Sequence, residues 1–264
     1  MPYAQGPGVR IHYRVEGQGP PLLLYHAFCG SSLDWYEFGY VERLAPFFRL
    51  LLPDARGHGR SDKPTRAEAY APQEQALDVL AVLDTEGIHT SHYWGYSMGG
   101  RVGFALARDA PKRLCSLIIG GIHPYPQNPE GIQRRIATWR QGLEVIEKHM
   151  AAGFGAAWSE QQRERFLAND LAAMIAYLQA LPGFDYADAL SSADAPPCLY
   201  YVGTEDVVFA PRAQEFVRDN PQVRWLPLAG LDHYAAYYRA DVVVPPVMDF
   251  LRDITTPPVA PAHP

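Results

Sequence analysis

The chain has 264 residues, a formal net charge of −6 and 48% hydrophobic residues. Its length suffices for one large packed domain, and its acidic balance disfavours nucleic-acid binding, which needs a basic surface. The N-terminal residues show no charged segment followed by an apolar stretch, and no window reaches membrane-spanning length. We therefore expect a cytoplasmic protein that binds neither nucleic acid nor membranes.

Strands and helices alternate along most of the chain. Residues 9–17 alternate apolar and polar side chains, which is typical of an outer strand with one covered face. Short apolar segments typical of buried parallel strands follow it, namely PLLLYHAF, FRLLLPD, HYWGYS, LCSLIIGG, PCLYYVG and QVRWLPL. A helix is predicted from Pro72 to Gly87, with an apolar stripe formed by Ala76, Leu77, Leu80, Val82 and Leu83. This alternation predicts an α/β fold with a doubly wound, mostly parallel sheet flanked by helices.

The alternation is interrupted between His123 and about Leu190. Six apolar residues recur there at steps of four and three and predict one helix, namely Ile132, Ile136, Trp139, Leu143, Ile146 and Met150. Two further helices are predicted, with Ser159 and Asp170 as N-caps. These helices either form a cap over the sheet or extend the core. We predict a core of residues 1–122 and 191–254, a helical cap of residues 123–190, and a disordered, proline-rich tail of residues 255–264.

The segment GYSMGG places Ser97 between two glycines, Gly95 and Gly99, after a predicted strand and before a predicted helix. In this setting the G-x-S-x-G pattern indicates a serine on a sharp, strained turn, where flanking glycines relieve crowding. The turn directs the backbone N–H of Met98 toward the place where negative charge would develop. Ser97 is therefore the predicted nucleophile.

A serine hydroxyl becomes nucleophilic when a base accepts its proton and a carboxylate orients that base. Among the histidines after Ser97, His233 comes shortly after the presumed last strand, and it is the predicted base. Asp206 stands at the carboxyl end of the strand before it and is the predicted acid. The adjacent Glu205 is the alternative acid.

The order of Ser97, Asp206 and His233 resembles that of the α/β-hydrolase superfamily, in particular serine carboxylesterase-like members with a helical cap. The resemblance covers nearly the whole chain. The segment HAFCGSSLDW is similar to that family's HGxxG oxyanion segment, and DARGHGRSDKP is similar to its D-x-R-G-x-G-x-S-x-x-P loop. The resemblance implies an oxyanion hole formed by the N–H groups of Phe28 and Met98. Ala27 departs from the family pattern, because glycine is usual there.

The resemblance also implies supporting roles for two segments near this site. His26 is interpreted as a packing or oxyanion-loop residue, and the loop that starts at Asp54 is interpreted as structural. No metal is expected, since His89 and His92 have no third ligand nearby in the sequence. No cofactor is expected either.

Together these residues predict a serine hydrolase that cleaves carboxylic esters, lactones or thioesters through an acyl-enzyme on Ser97. Aromatic residues predict a pocket for small to medium apolar substrates, with Tyr96, Tyr125, Trp139 and Trp158 as the candidate substrate contacts. The arginines of the first cap helix, Arg134, Arg135 and Arg140, are interpreted as its solvated face, with a carboxylate or phosphate subsite as the alternative. The expected partner is a small ester-like molecule, bound by a monomer or a homodimer.

Three other functions are compatible with the same residues. A carbon-carbon bond hydrolase of the meta-cleavage type and a cofactor-free perhydrolase use the same nucleophile and oxyanion segment. A ligand sensor of the same fold retains the three residues and signals through cap movement. Motifs alone indicate the reaction class rather than the acyl and alcohol groups.

Overall fold

The computed structural model describes residues 2–255, so the predicted disordered tail lies outside the described residues except for Thr255. The strands within that range are β1 (Tyr3–Gly6), β2 (Val9–Glu16), β3 (Pro21–Tyr25), β4 (Arg49–Pro53), β5 (Ser91–Tyr96), β6 (Leu114–Gly120), β7 (Cys198–Gly203) and β8 (Arg224–Leu228). The α-helices are α1 (Asp34–Glu37), α2 (Tyr40–Leu44), α3 (Pro72–Thr85), α4 (Met98–Asp109), α5 (Pro129–Trp139), α6 (Leu143–Phe154), α7 (Glu160–Leu167), α8 (Leu171–Ala180), α9 (Ala210–Asp219), α10 (Ala235–Tyr238) and α11 (Ala240–Thr255).

The strands form one sheet in the order β1-β2-β4-β3-β5-β6-β7-β8. β2 pairs antiparallel with both β1 and β4, and the remaining neighbours pair in parallel. The predicted mostly parallel sheet is confirmed. β1 was not predicted, because an alternating pattern over four residues is too short to be distinguished in the sequence. Since β3, β5, β6, β7 and β8 run in the same direction, the loops that follow them meet at one edge of the sheet.

Both faces of the sheet are covered, which explains the continuous apolar strands. In β3, Leu23 packs in the layer that contains α3 and α4, whereas Leu22 and Leu24 pack in the opposite layer with α11. In α3, the predicted stripe is wrong at one position: Leu77 is 45% exposed. Val79, one turn before Leu83, occupies the buried face instead.

Helices α5 to α8 lie between β6 and β7, in the part of the chain where an insertion was predicted. The apolar repeat that predicted one helix spans two, because Gly142 adopts a φ of 108° and separates α5 from α6. The two predicted N-caps are confirmed: Ser159 Oγ accepts the N–H of Gln162, and Asp170 Oδ1 accepts the N–H of Ala173. The limits of a separate cap domain at residues 123–190 stay a prediction.

A buried ion pair joins the loop after β4 to α3. Arg56 Nε lies 2.6 Å from Asp78 Oδ2, and Arg56 Nη2 lies 2.8 Å from Asp78 Oδ1. Burial raises the pKa of Asp78 to about 6, although the hydrogen bonds from Arg56 oppose this shift. The two hydrogen bonds therefore offset part of the free-energy cost of removing both charged groups almost fully from water.

Arg56→Ala is expected to lower the free energy of unfolding by about 3–5 kcal/mol, because it leaves Asp78 buried without its partner. Arg10→Ala is the matched control, since Arg10 pairs with Asp62 on the exposed surface. Urea denaturation of both variants measures the difference. A similar small loss in the two variants would contradict this account of the Arg56 pair.

Candidate active site

Ser97 lies on the sharp turn between β5 and α4. Its φ of 51° and ψ of −105° are rarely adopted by a residue with a side chain. A Cβ on Gly95 would collide with the backbone of Gly99, and a Cβ on Gly99 would collide with the carbonyl of Tyr25. The Ser97 N–H donates to the carbonyl of Gly120 at 2.8 Å. The glycines are therefore required by close backbone packing around the serine, as the motif predicted.

His233 and Asp206 form a short hydrogen bond, with 2.7 Å between His233 Nδ1 and Asp206 Oδ2. Asp206 is buried, and its Oδ1 also accepts the N–H groups of Val208 and Phe209. Because an ionised carboxylate only accepts hydrogen bonds, we assign the histidine proton to Nδ1 and the free lone pair to Nε2. The alternative acid, Glu205, is exposed to solvent.

One cavity of about 780 Å³ is lined by Ser97, Asp206 and His233 together. Tyr96 also lines it, and its hydroxyl donates to the carbonyl oxygen of His233 at 2.5 Å. Within residues 2–255 the Ser97 hydroxyl has no hydrogen-bond partner. Catalytic hydrogen bonds are often long in ligand-free proteins and shorten when a substrate binds. The structure thus brings the three predicted residues to the same cavity.

Residues 27–30, the predicted oxyanion loop and called the oxyanion loop below, form a tight turn beside this cavity. The Ala27 carbonyl accepts the N–H of Gly30 at 3.1 Å and lies 2.8 Å from His26 Nδ1. The Ala27–Phe28 peptide bond is trans, so its N–H points in the direction opposite to its carbonyl. The hydrogen bonds that fix the Ala27 carbonyl therefore also fix the direction of the Phe28 N–H. In the described part of the chain, neither the Phe28 N–H nor the Met98 N–H donates to another protein group. Two backbone donors are therefore available at a cavity that both residues line.

Two buried histidines hold the oxyanion loop against the loop after β4. The N–H of Cys29 donates to His58 Nε2 at 3.1 Å, and the N–H of Ala55 donates to His26 Nε2 at 2.9 Å. Burial lowers the pKa of both imidazoles, that of His58 to about 3. Each ring is therefore neutral and accepts a backbone N–H. The structural role expected for His26 and for the loop after β4 is confirmed.

The four predicted substrate contacts do not all reach the cavity. Tyr96, Trp139 and Trp158 line it. Tyr125 lies elsewhere: its ring centroid is 5.9 Å from that of His123, and the Arg212 guanidinium lies 4.3 Å above it. The structure does not bring Tyr125 to the site, because the chain after β6 turns this side chain toward α9.

Arg101 is a cavity residue that the sequence interpretation missed. It lies one turn after Ser97 in α4, is 6% exposed and forms no ion pair within residues 2–255. Its Nη1 has no hydrogen-bond partner, and burial lowers its pKa to about 10, so it stays charged at neutral pH. The Arg101 guanidinium lies 5.0 Å from the centroid of the Phe184 ring. The sequence did contain an indication of this role, because Arg101 is a charged residue among the small and apolar residues that begin the buried helix α4.

Arg135 also lines the cavity, although it was interpreted as part of a solvated helix face. Its guanidinium lies 5.4 Å above the ring of Phe28. Its charge disfavours the protonated form of Arg101, so the two guanidinium groups are close enough to repel each other. One cavity is therefore lined by two cationic residues, Arg101 and Arg135, and by the two residues with available backbone N–H groups, Phe28 and Met98.

Two further properties concern residues 2–255 as a whole. No three histidine, cysteine, aspartate or glutamate side chains are grouped there in a way that would hold a metal ion. None of the helices there combines the length and apolar character that a bilayer-spanning helix needs.

Comparison with known proteins identifies the family. Residues 20–144 match the family model of the alpha/beta hydrolase fold. A 2-succinyl-6-hydroxy-2,4-cyclohexadiene-1-carboxylate synthase from Klebsiella pneumoniae (strain 342) is 30% identical over 218 residues, which cover 76% of this chain and 83% of that protein. The chain belongs to the alpha/beta hydrolase family, as the sequence motifs implied.

Solved structures support the same assignment. The enol-lactonase from Burkholderia xenovorans LB400 superimposes with a TM-score of 0.85 and 26% identity, over 95% of this chain and 100% of that one. A thermophilic esterase from Thermogutta terrifontis shares the fold, with a TM-score of 0.80 and 24% identity over 94% of this chain and 95% of that one. Other matches are partial: the chain spans 60% of the length of a relative from Bacillus subtilis (strain 168) and 43% of one from Azorhizobium caulinodans.

Acidification is expected to destabilise the protein through His58. The pKa of His58 is about 3 in the folded protein and 6.5 for an ordinary histidine, so the unfolded chain binds more protons between these values. Its contribution to stability is complete above the unfolded pKa and is lost as the pH falls toward the folded pKa. Between about pH 7.5 and pH 5.5 the wild type should lose about 1.4 kcal/mol more than His58→Gln. Urea denaturation at the two pH values measures this, and equal losses would refute it.

Proposed function

We propose that the protein is a serine hydrolase that cleaves esters or lactones bearing a carboxylate group. The observation that carries the hydrolase part is the meeting, at one cavity, of the strained Ser97 with the hydrogen-bonded pair of His233 and Asp206. The substrate class rests on Arg101, a buried cation without a counter-charge in the same cavity.

In the proposed reaction, Ser97 Oγ attacks the carbonyl carbon while His233 Nε2 takes the hydroxyl proton. The carbonyl oxygen becomes an oxyanion and accepts hydrogen bonds from the N–H groups of Phe28 and Met98. His233 then returns the proton to the departing alcohol oxygen, which leaves an acyl-enzyme. In the second half, His233 deprotonates a water that attacks the acyl carbon, and Ser97 Oγ leaves with that proton.

Asp206 stabilises the imidazolium that forms in each half of the reaction. Its carboxylate accepts the Nδ1 proton of His233 at 2.7 Å and is held by two backbone N–H groups. The fixed acceptor keeps the ring in the tautomer that presents Nε2 to the cavity. This division of roles uses all three residues that the sequence predicted.

The substrate carboxylate is assigned from electrostatics. A buried guanidinium without a partner is costly, and a carboxylate placed against it would supply both charge compensation and paired hydrogen bonds. Because Arg101 and Ser97 line the same cavity, this anion would share that cavity with the reacting carbonyl. Arg135 would add a second positive charge at the same cavity.

The aromatic cavity wall would accommodate the rest of the substrate. Trp139 and Trp158 line the cavity with Phe28, which lies 4.7 Å from the ring of Tyr177. The apolar substrate predicted from the sequence is therefore extended to an amphipathic one, with an apolar body and an acidic group. The similarity to an enol-lactonase supports a cyclic or linear ester as the scissile group.

A synthase activity like that named for the Klebsiella pneumoniae relative is the second candidate. The name of that relative contains a carboxylate, a group that a cationic Arg101 would bind. Such a synthase activity would use Ser97, Asp206 and His233 on an acidic substrate. Ester hydrolysis that depends on Ser97 favours the first candidate, and its absence favours the second.

The test compares acidic esters with neutral esters of similar shape. The mono-4-nitrophenyl ester of adipic acid is paired with 4-nitrophenyl heptanoate, and 4-acetoxybenzoate is paired with 4-methylphenyl acetate. We expect the acidic member of at least one pair to have the higher kcat/KM. Arg101→Met should lower this acidic-to-neutral ratio by about 10-fold to 100-fold, because a charge-assisted contact is lost.

Arg108→Met is the matched control, since Arg108 lies on the same helix, outside the cavity, beside Asp109. It should leave the ratio unchanged, while Ser97→Ala should abolish all four activities. Wild-type rates equal to those of Ser97→Ala would overturn the hydrolase. A Ser97-dependent activity without preference for either acidic ester would overturn the carboxylate substrate.

A further inference from the structure

We propose that Asn169 is a positioning residue that holds the oxyanion loop in the conformation presenting the Phe28 N–H. This inference rests on the proposed function and adds to it a role for the helices between β6 and β7. Asn169 lies just after α7, and its side chain reaches across to the loop after β3.

The side-chain amide of Asn169 makes two hydrogen bonds. Its Nδ2 donates to the Cys29 carbonyl at 3.1 Å and to the Phe166 carbonyl at 3.0 Å. The second bond ties the amide to the last turn of α7, so α7 sets the direction of the amide. The first bond therefore connects the end of α7 directly to the oxyanion loop.

Cys29 is the residue in that loop that needs support. Its φ is 69°, a left-handed value that residues with a Cβ seldom adopt without tertiary contacts. Its N–H is held by His58 from the core, and its carbonyl is held by Asn169. His58 thus fixes the peptide group before Cys29, and Asn169 fixes the peptide group after it.

A second route joins α7 to the same loop. Arg165, in the last turn of α7, contacts the Glu37 carboxylate with both Nη atoms and lies 3.6 Å from Asp34. Asp34 Oδ2 accepts the Tyr237 hydroxyl at 3.2 Å, and the Tyr237 hydroxyl accepts the Ala27 N–H at 3.2 Å. Contacts from the end of α7 therefore reach the residue on each side of Phe28, at the Ala27 N–H and at the Cys29 carbonyl.

This arrangement ties transition-state stabilisation to the docking of α7. Without the Asn169 bond, Cys29 can relax toward negative φ, and the turn that holds the Ala27 carbonyl loosens with it. The Phe28 N–H then leaves its direction toward the cavity. Since an oxyanion donor acts on the transition state more than on the bound substrate, the loss should appear in kcat rather than in KM.

The experiment uses two variants of Asn169 in the full chain. Asn169→Ala removes the amide, and Asn169→Asp keeps its size while replacing the donor with an acceptor. Because Asn169 is half-buried, both variants should fold. For a 4-nitrophenyl ester cleaved by the wild type, we expect kcat to fall about 10-fold in each, short of the ~10²-fold or greater loss of a whole donor, with KM unchanged.

Hydrogen exchange of the peptide covering residues 26–32 provides a readout that does not depend on activity. It should be faster in both Asn169 variants than in the wild type. Arg163→Ala is the matched control: Arg163 lies on α7 but pairs with Glu147 and Glu160. It should match the wild type in kcat and in exchange of this peptide.

Several results would overturn the positioning role. Unchanged exchange in both Asn169 variants would do so even if the wild type cleaves no ester, which separates this inference from the proposed function. An increase in KM with kcat retained would make Asn169 a substrate contact instead. Equal losses in Arg163→Ala would show a general effect of disturbing α7.

Discussion

The site depends on one constraint, the strained backbone of Ser97 held between β5 and α4. A serine with φ of 51° persists because the surrounding backbone is packed too closely to relax: Gly95 lies against Gly99, and Gly99 lies against Tyr25. The same turn starts α4, so it leaves the first N–H groups of that helix without partners inside it. It also places Arg101 one turn further along the same helix. The proposed nucleophile, oxyanion donor and anion-binding residue are thus positioned by a single packed turn.

The oxyanion loop, in contrast, is held in place by hydrogen bonds from other parts of the chain. Buried, neutral His26 and His58 accept backbone N–H groups and join the oxyanion loop to the loop after β4. Asn169 and Arg165 approach it from α7. The departure at Ala27 is accommodated, since its N–H is held by a tyrosine hydroxyl and its carbonyl by two donors. A loop supported from two sides can carry a left-handed residue that is not glycine.

Sequence reasoning predicted the sheet from local signals, and it selected a serine, a histidine and an aspartate that the structure brings to one cavity. Buried parallel strands are short apolar runs, and G-x-S-x-G depends on neighbours two residues away. The break at Gly142 was missed since the apolar spacing of three and four continues across it. Arg101, Tyr125 and Asn169 were misjudged or unnoticed for a different reason: their roles depend on what tertiary packing puts beside each side chain. A sequence motif does not show whether a charged side chain such as Arg101 is buried without a counter-charge.

The central claim is that His233, held by Asp206, activates Ser97. Labelling with a fluorophosphonate, followed by intact mass measurement and peptide mapping, tests it most directly in wild type and His233→Gln. The account predicts a single adduct on Ser97 in the wild type, formed at least about 100-fold more slowly in the variant, because general base catalysis is lost. An adduct on another residue, or equal labelling rates in the two proteins, would contradict it.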